Sequence, residues 1–224
     1  MKLINPNSLA ETLDTLNEAF FYGQPIPKSQ RDKCAKWIAS RQGMAGSYAD
    51  MFAPTPRDFK EGARLFTGEL IKSRAGTAHI LGEEACRALI LLKIPATNVR
   101  TALQRASLGM MTRLKQSPEK GMYCCGICSV SLWRHLAAGG LDKSEQRLKA
   151  GLKSLKSYRD GKGKWRRFPF YYTLLALSEM EFPAAEKEMK YAVPILERFL
   201  KRSRQHDKTS KRRRLLAERI LEKC

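Results

Sequence analysis

Two groups of residues in this 224-residue chain combine types and spacings that could do chemistry. The first is Cys124, Cys125 and Cys128 with His135: read as one helix, positions 124, 128 and 135 share a stripe, and thiolate with imidazole is a donor set that suits zinc. Structural zinc sites draw ligands from separate segments, so the set needs completion from elsewhere in the fold, with His79 and Cys86 as candidates. The same cysteines also read as small buried packing residues or as a reactive thiol. The second group is Trp165-Arg166-Arg167-Phe168-Pro169-Phe170-Tyr171-Tyr172, two guanidinium groups among aromatics where an apolar helix begins. Such a cluster can hold phosphate or diphosphate beside a helix N-terminus, or stack the bases and contact the phosphates of a single strand. Its plain structural reading puts Trp165, Phe168 and Phe170 in the core and the arginines in solvent. Arg134 and His79 are further ligand-binding candidates on apolar helical segments, His79 having a hydrogen-bonded core role as its alternative.

The carboxylates offer less. Asp50 is solitary, and Glu83-Glu84 are sequence neighbours that point in different directions on a helix, so exposed or salt-bridged roles are expected for them. No P-loop, dinucleotide fingerprint, Gly-x-Ser-x-Gly elbow, His-Glu-x-x-His or zinc-finger spacing occurs.

Charge is the strongest compositional signal. The net +20 is concentrated, with ten Lys/Arg against three Asp/Glu in 141–167 and the same balance in 201–224. A concentrated basic surface attracts polyanions. The C-terminal run, with Lys211, Arg212, Arg213 and Arg214, reads as a basic amphipathic helix for nucleic acid, an acidic partner or an anionic membrane surface, or as a solvated face. No apolar window reaches the length of a membrane span and the first residues lack a secretory core, so a cytoplasmic location is expected and the six cysteines are not expected to form a disulfide framework.

The elements that must position these groups are helices. Apolar periodicity and caps predict helices over 9–22, 29–41, 83–92 (with 77–92 as the wider reading), 98–116, 123–138, 143–158, 168–180, 183–204 and 211–223, with a short one over 58–70. Ser8 with Glu11 reads as a capping box, and Pro194 as a kink. No alternating apolar pattern supports a strand. The expectation is an all-α single domain of 1–224, with 43–76 as an irregular insertion suited to a functional loop and 201–224 as a basic C-terminal helix.

Gly-x-aromatic recurs three times, at Gly46-Ser47-Tyr48, Gly121-Met122-Tyr123 and Gly163-Lys164-Trp165, the last two 42 residues apart. Each follows a polar helix and precedes an apolar one, which marks repeated α-hairpins. This pattern resembles the α/α-toroid repeat of protein prenyltransferase β subunits and of squalene and terpene cyclases, best over Leu148–Met180. The resemblance implies an open or small toroid whose inner helices present their N-terminal ends to a cavity. It also implies an isoprenoid diphosphate as ligand, gripped by Arg166, Arg167 and Tyr171. The Asp-x-Asp-Asp acid of the cyclases is missing from the sequence. Read from the residues alone, the alternative is a nucleic-acid-binding helical array with 141–167 and 201–224 as one phosphate-facing surface.

Overall fold

The computed structural model describes residues 3–116, 121–202 and 207–224. The helices among these residues are α1 (Leu9–Phe21), α2 (Lys28–Ala39), α3 (Pro56–Glu61), α4 (Arg74–Leu92), α5 (Thr97–Gln116), α6 (Gly126–Ala137), α7 (Ser144–Ser157), α8 (Phe170–Ser178), α9 (Pro183–Arg202) and α10 (Lys208–Lys223). Among the described residues the only β pairing is three isolated bridges, Gln42 with Phe52, Arg64 with Leu70 and Arg159 with Trp165. The chain is all-α.

Caps set several of these ends. Ser8 accepts from the Glu11 amide and starts α1, but the reciprocal carboxylate is not Glu11. Buried Asp58 accepts from the Ser8 hydroxyl at 2.6 Å and the Leu9 amide at 2.9 Å, while forming with Thr55 the capping box that starts α3. One side chain thus caps two helices and fastens the 43–76 excursion onto α1, satisfying amides that would otherwise be orphaned. Ser73 caps α4 through the Gly76 amide at 3.0 Å, so this helix starts at Arg74, slightly ahead of the wider sequence reading from Thr77 and well ahead of the narrower one from Glu83. Pro194 lies within α9, where it removes one backbone donor.

The apolar helices α4, α6 and α8 pack side by side, with α1 against the far side of α4 and α10 against α8. Ion pairs from Arg212 to Asp14 and Glu18 then join α10 back to α1. Contacts therefore run in a circuit α1, α4, α6, α8, α10 and back to α1. The more polar helices lie outside it: α2 and α5 against each other and against α4, α7 against α6, and α9 against α7, α8 and α10. Residues from the C-terminal ends of α1, α4, α8 and α10 line one cavity, and the N-terminal ends of α4 and α6 with the approach to α8 line another, so each end of the circuit carries a hollow.

The glycines of all three Gly-x-aromatic turns have positive φ, at 87°, 77° and 95°. Their aromatics diverge in role. Tyr48 and Tyr123 meet through a hydroxyl–hydroxyl hydrogen bond, whereas Trp165 is buried on the α9 side, donating its indole N–H to Glu188 at 2.8 Å.

Candidate functional site

The cavity of about 710 Å³ at the N-terminal ends of α4, α6 and α8 brings the first chemical group together, with one exchange of partner. His79, Cys124 and Cys128 each offer a ligand atom, and these atoms all lie within 4.8 Å of one another. His135 is elsewhere: it is fully buried, with Nδ1 bonded to Glu83 at 2.5 Å. The helical stripe is the reason. Seven residues of helix rise about 10 Å, several times the spacing of ligands on one ion, and α6 begins only at Gly126, so Cys124 is not on the helix at all. Cys86 is buried within the core.

His79 is 2% exposed and packs against the rings of both Tyr48 and Tyr123, with centroids 4.8 and 4.7 Å away. Its Nε2 faces Glu83 Oε1 at 3.3 Å, while Nδ1 is buried without a hydrogen-bond partner. Glu83 thereby bridges His79 and His135. Burial would raise the Glu83 carboxyl, but the His135 charge and the hydrogen bonds from both imidazoles outweigh it and lower the group to about 2. Burial pushes the Cys124 and Cys128 thiols up, and the nearby Cys125 and Cys124 add to the rise at Cys128. As free thiols these two are protonated at neutral pH, which disfavours the reactive-nucleophile reading for them.

Arg167 reaches the same cavity and also lines a second hollow of about 520 Å³ that shares Tyr123, Cys124, Cys125 and Phe168 with it. Its backbone is left-handed, φ 67°, and its carbonyl comes so close to α6 that a Cβ on Gly126 would lie 2.2 Å from it. Gly126 is therefore required at the first position of α6, and Cys125 before it supplies no side-chain cap. Phe168, which walls the cavity, is held by stacking on Trp133 at 5.7 Å. Glu69 also lines it, but one of its oxygens accepts from the Tyr172 amide at the start of α8. Lys72 and Arg167 are the cations of the lining.

The other expected ligand residues lie apart. Arg166 is exposed, and Trp165 is committed to Glu188. Tyr171 packs under Arg213, 4.4 Å from its centroid, and against Phe199. Arg134 is 2% exposed and borders the opposite cavity, bound by Glu84, Glu179 and Asn17. Glu83 and Glu84 do point in different directions and are paired, but both are buried.

The C-terminal arginines are also committed. Arg212 is buried on Asp14, Glu18 and the Phe66 carbonyl with its guanidinium over the Phe66 ring. Arg213 donates to the Thr67 carbonyl and Arg214 pairs with Glu218, leaving Lys211 exposed. Part of the 201–224 charge thus fastens α10 in place, and residues 203–206 lie outside the described residues. No helix among the described residues is long and apolar enough to cross a membrane.

Comparison with protein-family models, with curated proteins and with solved structures yields no match, so the site is read from its own chemistry.

Proposed function

We propose that the cavity at the N-terminal ends of α4, α6 and α8 binds an amphiphilic organic anion of the isoprenoid diphosphate kind. The observation that carries the reading is Arg167: a non-glycine residue with φ 67° at the rim of an apolar-walled cavity, beside the first turn of a helix that has no side-chain cap. Left-handed backbone costs a residue with a Cβ about 1–2 kcal/mol, and such strain concentrates where a side chain must be aimed. A guanidinium beside free helix amides suits a diphosphate head. Leu70, Ile71, Tyr123, Ile127 and Phe168 offer a surface for an apolar tail, and the volume falls in the range of small-molecule sites. The nucleic-acid reading has weaker support, because Arg212, Arg213 and Arg214 are engaged by the protein itself.

Calorimetric titration with farnesyl diphosphate and with inorganic diphosphate at physiological salt tests this. The alkyl diphosphate is expected to bind more tightly, and Arg167→Gly to weaken it about tenfold or more, the scale of a lost charged hydrogen bond. The same variant should melt no lower than the parent, because glycine relieves about 1–2 kcal/mol of strain and returns about 0.5–1 kcal/mol as chain entropy. Absence of saturable binding, or affinity indifferent to Arg167, removes the proposal. Tighter binding of an oligonucleotide that does not compete with farnesyl diphosphate would favour the other reading.

A further inference from the structure

We infer that His79, Cys124 and Cys128 hold a zinc ion, with a fourth coordination position open to the cavity for an oxygen of the anionic head group. The three protein ligands stand on geometry alone; the occupant of the fourth position rests on the function proposed above.

Two independent features point to the metal. The first is the convergence of one imidazole and two thiols, with ligand atoms within 4.8 Å, from chain segments 45 residues apart. A tetrahedron with zinc–sulfur and zinc–nitrogen bonds of about 2.0–2.3 Å needs ligand separations of about 3.5–3.8 Å, so closure asks about 1 Å of side-chain movement, and Cys124 is exposed and free to make it. The second is His79 Nδ1. A buried nitrogen with neither donor nor acceptor partner is costly to leave unmet, and the other nitrogen of this ring is already fixed by a carboxylate. His135 Nε2 is orphaned in the same way, but among the described residues only His79 shares a group of potential metal donors with the thiols. A carboxylate on the far nitrogen is the usual support of a metal-bound histidine, setting its tautomer and orientation. Here Glu83 gives that support and is itself held by His135.

Charge and coordination number also fit. Two thiolates neutralise one Zn²⁺, and each thiol must release its proton on binding, so one metal displaces two protons from this pair. Three protein ligands are the count of zinc sites that keep a position for water or substrate, whereas purely structural sites close with four. The remaining face meets the cavity that Arg167 lines, so zinc and guanidinium would hold the same head group from two sides.

The test is titration of the full chain, reduced and stripped with chelator, with Co²⁺ as a spectroscopic probe, followed by zinc displacement. Expected are one equivalent of metal, a thiolate-to-cobalt charge-transfer band, tetrahedral d–d absorption, and about two protons released per metal in weakly buffered solution. Cys124→Ser and Cys128→Ser should each abolish or reduce the charge-transfer band. Cys125→Ala should keep it, and Glu83→Gln should weaken affinity about 10–100-fold. Folded protein, checked by circular dichroism, that binds no cobalt, or cobalt binding unchanged by both serine variants, overturns the inference. Titrating farnesyl diphosphate into stripped and zinc-loaded protein separates the two proposals. Arg167-dependent binding by protein that takes up no metal leaves the cavity function standing and removes the zinc, whereas stoichiometric metal without diphosphate binding does the reverse.

Discussion

Arg134→Met is expected to destabilise the protein by about 3–5 kcal/mol, the scale of an orphaned buried charge, read as a fall in the urea midpoint. The guanidinium is buried among Glu84, both oxygens of Glu179 at 3.0 and 2.8 Å, and Asn17 at 3.3 Å. Arg87 completes the group through Asn17 at 2.8 Å and Glu179 at 2.7 Å, and the Tyr172 hydroxyl donates to Glu84 at 2.5 Å. α1, α4, α6 and α8 therefore share one polar joint, and deleting its central cation leaves a carboxylate buried with too few donors. Adding Glu84→Gln to Arg134→Met should restore about 1 kcal/mol or more, because the second change removes the charge that the first orphaned. Strict additivity of the two would show that the residues do not act as a unit.

The joint also fixes how stability responds to acid. Burial would raise the Glu84 carboxyl, but the charges of Arg134 and Arg87 and the hydrogen bonds from Tyr172 and Asn17 outweigh it and hold the group below its ordinary value. At neutral pH both folded and unfolded chains carry this carboxylate ionised, and its contribution to stability is complete. As pH falls through the ordinary range near about 4, the unfolded chain takes up the proton first and the contribution is lost down to the folded value. Arg134→Met, by removing the strongest attraction, should make the urea midpoint less sensitive to acid over that interval.

The helices were legible because their apolar residues repeat at helical spacing, and most boundaries fall within two or three residues of the periodic pattern. The start of α4 showed only in the wider 77–92 reading, because Arg74-Ala75-Gly76-Thr77 mixes good and poor helix formers, and only Ser73 signals the cap. The site was half legible. Cys124 with Cys128 shows as a pair in sequence, but His79 joins them only because α4 and α6 pack together, and a separation of 45 residues carries no local signal of that. Arg167 stood out by its charge, while its left-handed backbone depends on the close approach to Gly126. The C-terminal arginines misled for a related reason: sequence gives charge density, and the acids that bind Arg212 lie at positions 14 and 18, at the other end of the chain.

Two left-handed glycines, one in the second Gly-x-aromatic turn and one just before the third, make the second large prediction. Gly121→Ala is expected to cost roughly 3 kcal/mol, and Gly161→Ala only about 1 kcal/mol, although both glycines have nearly the same backbone, φ 77° and 79°. The shared part is the left-handed conformation, less the entropy that glycine loses on folding. The difference is space. A Cβ on Gly121 would lie 2.2 Å from the Gly151 amide nitrogen and 2.5 Å from the Arg147 carbonyl, both backbone of α7, whereas nothing lies within 4 Å of one on Gly161. The Gly121 carbonyl also accepts the Trp133 indole N–H at 2.7 Å, so a shifted turn would disturb α6 as well as α7. At about 2–4 °C per kcal/mol for a chain of this size, the melting points should fall by roughly 6–12 °C and 2–4 °C. Trp133 stacks on Phe168, a wall of the cavity, so Gly121→Ala should weaken farnesyl diphosphate binding in the protein that remains folded, and Gly161→Ala should not. Equal melting shifts for the two variants would mean that backbone strain alone governs these turns, and that the close contact of turn and outer helix does not hold α6 and the cavity wall in register.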